Sequence, residues 1–556
     1  MAPDPTQSSN SLADRNMAVA DSLRVVSSAI LGLTVGCAQC HDHKYDPIGI
    51  DDYYRFRAIF DPVFPLESWQ QPDARLVDFS SAVDRSEADR IEAEAVALET
   101  QLKERAQKVG HEIQERKLSD VPEAVRESAR EAVLTQPDQQ TDEQKRLLFL
   151  YPMVKPVEQI LGQLVEFDNA AHRAFEKERE KIGELRATRP PPELVMATRE
   201  RPDVIPVSTV FHRGNPATRG EEVTPGEVMV LRRQRNTDLP VRAASRSSTG
   251  RRLAYARLLT NGQHPLTARV FVNLVWMHYF GRGLVATPGD FGMSGERPSH
   301  SELLDWLAQD FVSHGWDQKR LHRMILTSTT YRQSSVRRPD LDAVDPENRL
   351  LGRMHLRRLD AEEIRDAVLS VAGQLDARLG GPSVPVTVNS EGKVVLGVRL
   401  QRDGIRAGVD GSSAAGARRS VFIQAQRKQP LDMLATFDQP EMTPNCELRR
   451  PSTVATQALW FLNDAEIVQR SMELAELLTT QHADDAAHLD DLFTRLFAQR
   501  TTDDERLACL EFLRAQADHF AAQASTSDQQ AADPNRQALA ILCQTLLASN
   551  RFLYVD

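Results

Sequence analysis

A chain of 556 residues, 41% apolar and 26% charged, has the makeup of a folded globular protein and the length for two to four structural units. Its net charge of −11 gives no general attraction to nucleic acid or to an anionic membrane, and no apolar run is long enough for a transmembrane helix. Five cysteines are too few and too scattered to staple a disulfide scaffold.

The chain opens on a polar, turn-rich lead of 20 residues, followed by the apolar stretch "RVVSSAILGLTVGC", which reads as a buried helix leading into "CAQCHDHKYDPIG". "DDYYRFRAIFDPVFP" continues at helical spacing and stops at its prolines. From 85 to 190 the chain is rich in Glu, Ala, Arg and Lys, with Ile91, Ala95, Leu98 and Leu102 at three- and four-residue steps. Two such stretches, 85–135 and 142–187, flank "TQPDQQTD" and predict a long antiparallel helical hairpin. Short β-type runs around Gly, Pro and Asn predict a small β region over 194–235. Beyond 249 compact helices predominate, one of them opening on what reads as a capping box of Ser299 and Glu302. "PVTVNSEGKVVLGV" reads as a β-hairpin set among them. The fold class expected is mainly α: a helical segment over 1–66, the hairpin, a small β insertion and a large helical domain over 249–556.

Nearly all the chemistry sits in Cys37-Ala-Gln-Cys40-His41, a C-x-x-C-H motif. Two thiols three residues apart reach both haem vinyl groups from one turn of chain, and the adjacent imidazole ligates the iron. A second reading gathers Cys37, Cys40, His41 and His43 around a single zinc or iron ion, since thiolate and imidazole suit either metal. Backbone form separates the two: on a helix His43 turns away from His41, whereas on an extended segment both imidazoles share a side. A third takes Cys37 as a lipid acceptor after a signal peptide, against which Asp14 and Asp21 spoil a positive leader. His43, Lys44, Tyr45 and Asp46 are expected around the first ligands, setting ring orientation or solvent access.

Other features read as structure. Cys446, Cys509 and Cys543 stand alone and are expected as unpaired small hydrophobes. "GDFG" at 289–292 lacks the loops of a kinase and reads as a turn, "GVDGSSAAGARRS" at 408–420 as a surface loop, and 212–227 as a turn cluster. Arg418, Arg419, Arg449 and Arg450 are expected in structural ion pairs. His264, His278, His300, His314, His322, His355 and Met442 are the candidates for a distal haem ligand, and the sequence does not choose among them.

"AILGLTVGCAQCHDHKYDPIGIDDYYRFRAIF" resembles the core of the planctomycete cytochrome C-like domain. "HPLTARVFVNLVWMHYFGRGLVATPGDFG", "GERPSHSELLDWLAQDF", "RRLDAEEIRDAVL" and "ASNRFLYVD" are similar to the planctomycete-specific domain that follows it. The resemblance covers residues 24–66 and 249–556 and implies covalent haem c at Cys37, Cys40 and His41 in an exported or periplasmic protein. It supplies no demonstrated reaction. That family domain normally extends upstream behind a secretion signal, so this sequence reads as N-terminally truncated, and without export it is expected to stay free of haem. The function expected is redox or electron transfer with an unnamed partner protein; the competing one is a non-catalytic extracytoplasmic binding or assembly protein whose Cys/His motif is structural or holds a structural metal.

Overall fold

The computed structural model describes residues 11–201, 204–232, 239–243, 246–381, 383–389, 391–397, 416–440, 445–524 and 533–555. Met442 and residues 408–415 of the expected surface loop lie outside these. Helices dominate and the strands form only short pairs, as the patterning predicts. No described helix is long and apolar enough to cross a membrane. The chain forms two compact units, one of Met1–Trp69 with Glu200–Asp556, the other of Gln70–Arg199.

The Gln70–Arg199 unit is built on the 38-residue helix Ala82–Ser119, whose first turn is capped by the Ser81 hydroxyl accepting from the Asp84 N–H. Its mainly polar surface leaves a narrow apolar stripe. Ala95 and Leu102 on that stripe pack against Phe175, Ile182 and Leu185 of the Asn169–Ala187 helix. Ile113, further along, meets Ile160 and Leu164, so the return path is antiparallel. Arg186 pairs across with Glu99 at 2.8 Å and Glu92 at 3.2 Å. These exposed pairs contribute little beside the buried stripe.

Each stretch expected as one helix is broken. Pro122 follows the end of the long helix and starts Glu123–Leu134, while Pro152 and Pro156 separate Asp142–Leu150 from Val157–Gly162. A proline inside a helix removes one hydrogen bond and collides with the preceding turn. Glu123–Leu134 and Asp142–Leu150 therefore form a smaller pair, around a cluster that includes Leu118, Val121, Ala129 and Val133. Leu76–Asp78 and Leu194–Met196 pair antiparallel and tie the unit's two ends. Residues 194–196 thus belong to this unit rather than to a single β region.

Among the described residues the other unit has three cores. The largest joins the helices Ala361–Val371, Ala465–Gln481, Asp485–Phe497 and Pro534–Leu547 around fully buried Ile364, Leu474, Leu478, Leu492 and Cys543. A second holds Thr267–Phe280, Ser301–Ser313 and Gln318–Thr327 together through Trp276, Phe280, Phe311 and Leu321. The third surrounds the cysteine motif. Ser208–Phe211 pairs with Arg219–Val223, and "EVMVLRR", read as β, instead gives the short helix Met229–Arg232. The predicted hairpin is present, with Val386 opposite Leu396 and Val388 opposite Val394. Ser299 does not cap its helix: His300 occupies that position, and the Ser299 hydroxyl donates to the Leu284 carbonyl. Cys509 and Cys543 are buried as expected, whereas Cys446 is exposed.

Gly110 marks the tightest approach in the Gln70–Arg199 unit, where an added Cβ would lie 2.7 Å from Val157 Cγ1. Gly110→Leu is expected to lower that unit's stability by about 1–3 kcal/mol through overpacking. Urea unfolding followed by far-UV dichroism measures it, and adding Val157→Ala is expected to recover part of the loss.

Candidate functional site

The helix Leu12–Val26 widens into a π turn over Ser27–Leu31 and ends at Gly32, whose φ of 58° needs no Cβ. Leu31, Leu33, Val35 and Ala38 are buried, so the chain is pinned from behind as it enters the motif. Gly36–Gln39 then forms a single 3₁₀ turn. With Ala38 facing inward, Cys37 and Cys40 emerge exposed, and both thiols are free. The backbone is thus neither the helix nor the extended strand that the sequence left open.

His41 and His43 face different surroundings. His41 is exposed, with Nδ1 2.7 Å from the carbonyl oxygen of Asp42. A carbonyl only accepts, so Nδ1 carries the proton and Nε2 keeps its lone pair toward solvent. The His43 side chain is buried, and its Nδ1 accepts the Asp46 N–H at 2.8 Å, which makes Nε2 its protonated nitrogen. The loop closes behind it through His43 N–H to Ile48 O at 2.8 Å. His43 therefore does not join the cysteines and His41: among the described residues no three or more His, Cys, Asp or Glu side chains gather as a metal site.

Asp46, 6% exposed, anchors this loop to the helical domain. One carboxylate oxygen accepts the Met293 N–H at 2.7 Å, and a Cβ on Gly292 would fall 2.6 Å from both oxygens. Beside it Phe291 N–H donates to Gly32 O at 2.7 Å, and the Phe291 ring lies where a Gly32 Cβ would point. The "GDFG" segment is a turn, as expected, held by Gly292 N–H on the Asp290 carboxylate at 2.8 Å. Its role as the seat of the motif loop was not legible, because Asp46 and Met293 are far apart in the chain.

A second support lies under the 3₁₀ turn. The Tyr54 hydroxyl donates to Gln39 O at 2.9 Å, and its ring meets Tyr53 and Phe211 at 5.1 and 5.2 Å. Arg57, 1% exposed, donates to Asn16 Oδ1 at 2.6 Å and Asp61 Oδ1 at 3.1 Å while lying over Phe211. Asn16 passes the support on, its amide donating to Gly214 O at 3.2 Å. Gly214, at φ 73°, touches the sulfur of Cys40 so closely that a Cβ would sit 2.7 Å from Sγ. Burial pushes the Tyr53 hydroxyl up to about 12, and Tyr54 higher still, with the neighbouring Tyr53 adding to the burial effect. The repeated aromatics of "DDYYRFRAIF" were the only sequence signal for this support.

Several distal-ligand candidates are engaged elsewhere. His264 is buried, donating from Nε2 to Glu227 at 2.9 Å while Nδ1 accepts from the Thr267 N–H. His322 bonds the Tyr279 hydroxyl, His314 bonds Asp310 O, and His300 bonds Ser299. His278 is exposed and His355 half-buried. Of the four arginines, Arg449 pairs with Glu362 at 2.6 Å and Arg419 with Asp366 at 3.5 Å, while Arg418 donates to the Gly380 carbonyl. Asn215 accepts the Ala217 N–H at 3.0 Å and shapes a turn ahead of Arg219–Val223, which is a strand, so 212–227 is only in part the expected turn cluster.

Residues 251–513 match the family model described as PSD1, protein of unknown function (DUF1553), and residues 3–64 match PSCyt2, protein of unknown function (DUF1549). Both are domains of unknown function known from planctomycetes. The PSCyt2 match starts upstream of residue 24, where the sequence resemblance begins, and takes in the Leu12–Val26 helix that carries Asn16. The Asp46–Met293 contact thus joins the PSCyt2 segment to the PSD1 segment. No curated protein and no solved structure matches the chain at a significant level.

Gly214→Ala is expected to displace the Cys40 sulfur and change its rate of maleimide labelling, with Cys37 little affected; peptide mass spectrometry reads the two sites separately. Stability is expected to fall between about pH 10 and 12, because the unfolded chain ionises its tyrosines there while Tyr53 stays neutral in the fold. Tyr53→Phe is expected to flatten that fall in urea titrations at stepped alkaline pH.

Proposed function

We propose that this protein carries a c-type haem joined covalently through Cys37 and Cys40, with His41 on the iron, and serves in redox or electron transfer outside the cytoplasm. One observation carries the reading: the three residues that attachment needs face solvent, while the side chains of His43 and Asp46 are locked inward. Cys37 and Cys40 are exposed and free on one turn. His41 holds its ring by Nδ1 on the Asp42 carbonyl, the outer hydrogen bond that commonly fixes a metal-binding imidazole and frees Nε2 for the metal. The donor set therefore fits haem c better than a closed zinc site, which would require His43 to abandon Asp46.

Haem attached there supplies one-electron transfer; the chain's own residues hold it. Gly214 and Ala38 brace the turn that carries the thiols, Tyr54 fixes the Gln39 carbonyl between them, and Asp42 sets the His41 tautomer. Tyr45, 61% exposed and next to this loop's buried anchor, is an apolar surface for a macrocycle edge or a redox partner protein. The second reading, an assembly protein with a structural motif, draws on the Asp46–Met293 and Gly32–Phe291 contacts, which tie two segments together without any cofactor.

Fused to an export signal in a host with c-type maturation, the chain is expected to retain haem colour through denaturing electrophoresis. Cys37→Ala or Cys40→Ala is expected to weaken or abolish that stain, and His41→Ala to change the iron's absorption spectrum. His43→Ala is expected to keep the covalent haem while lowering the melting temperature. A colourless exported protein holding stoichiometric zinc, lost with His43→Ala, would overturn the haem reading in favour of the metal site.

A further inference from the structure

Away from the motif, the segment after the Thr267–Phe280 helix faces the loop 345–355 across a recess whose lining includes Arg282, Arg297, Arg349 and His355. Both walls are fixed. On one, the buried Asn273 amide exchanges two hydrogen bonds with the Val285 backbone at 2.9 and 2.8 Å, and Ser299 N–H donates to Leu284 O at 2.8 Å. On the other, the Asp345 carboxylate accepts the N–H groups of Arg349 and Leu350 at 2.9 and 2.7 Å. Asn348 and Arg353 exchange a further pair, and the Gln333 amide donates to Leu351 O at 2.7 Å.

This second wall is strained as well as rigid. Asn348 and Leu351 both hold left-handed backbone, at φ 52° and 59°. Asparagine tolerates this conformation, whereas for a leucine it is unfavourable and persists only where the surroundings over-determine it. Arg349 lies between the two and lines the recess.

Arg282 is neutralised by Glu296 at 3.0 Å and Glu347 at 3.7 Å. Arg297 and Arg349 are exposed, and among the described residues neither guanidinium has a carboxylate within 4 Å. Arg349 is offset in part by Asp345, whose carboxyl the Leu350 N–H and the Arg349 charge help to hold below the usual carboxylate range, and Arg297 is the less compensated of the two. Burial, with Arg353 and Arg282 nearby, holds His355 below the ordinary histidine range, so it adds no charge at neutral pH. The recess itself encloses only about 20 Å³, so a ligand would sit at its exposed mouth. Arg282 and His355 also line a neighbouring cleft of about 640 Å³, with His278, Arg357, Glu347 and Asp360, a volume in the range of small-molecule sites.

We propose that the mouth of this recess and the adjoining cleft bind a small molecule bearing a carboxylate or phosphate group, whose oxygens Arg297 and Arg349 hold while its body lies in the cleft against exposed His278. Guanidinium forks suit either oxyanion, since both offer paired acceptors. The inference is independent of any haem at Cys37 and Cys40.

Isothermal titration of the full chain with inorganic phosphate and with succinate, at one ionic strength set by sodium chloride, tests it. Saturable one-site binding of at least one probe is expected, with the Arg297→Ala/Arg349→Ala double variant at least about tenfold weaker. Arg323→Ala, a surface arginine outside the recess, is expected to match the parent, and dichroism to show the double variant folded. Preference for phosphate or for succinate identifies the ligand's anionic group, and equal affinity supports the shared chemistry. No saturable binding of either probe, or affinity unchanged in the double variant, overturns the proposal.

Discussion

The arrangement of this protein's most reactive residues depends on one close approach. The carboxylate of Asp46 is buried against the backbone of Gly292 and Met293, and Gly32 lies against Phe291, with no room for a Cβ at either glycine. One carboxylate oxygen accepts the Met293 N–H while the other is buried without a hydrogen-bond partner among the described residues, so the register is set by that single bond and by the close fit at the two glycines. Once Asp46 is fixed, its N–H fixes His43, and His43 is withdrawn from any shared site with His41. The outward face of the loop is then left to Cys37, Cys40 and His41.

That division explains why a motif with four potential metal donors behaves as two groups. Inward residues serve packing: Asp46, His43 and Ile48 close the loop, and Tyr54, Arg57 and Asn16 prop the turn from below. Arg57 illustrates the economy of the support. Its guanidinium is almost fully buried, yet Asp61, Asn16 and the Phe211 ring all receive it, so no charge is left unmatched. Outward residues keep their chemistry because the loop's hydrogen-bonding needs are met by others.

Much was legible beforehand. Helical spacing in 85–187 gave helices, "PVTVNSEGKVVLGV" gave the hairpin, and the isolation of Cys509 and Cys543 gave buried free thiols. The misses have identifiable causes. Pro122, Pro152 and Pro156 split helices that composition alone had joined. Ser299 had the spacing of a capping box but turned its hydroxyl to Leu284, a partner supplied by tertiary packing. "EVMVLRR" is β-branched and apolar enough for a strand, yet it formed a helical turn whose first N–H meets Asp52.

By itself, the sequence determined which residue types stand close enough in the chain to act together: two thiols and an imidazole within one turn, amphipathic stripes at helical period, and the mainly α class that follows. These are local properties, set by spacing and side-chain chemistry. Tertiary structure alone decided that His43 faces inward and His41 outward, that Gly214 braces the Cys40 sulfur, and that Asp345 and Asn348 hold Arg349 beside Arg297 and Arg282. Each depends on a partner distant in the chain or on a backbone angle imposed by packing, and residue spacing carries no record of either.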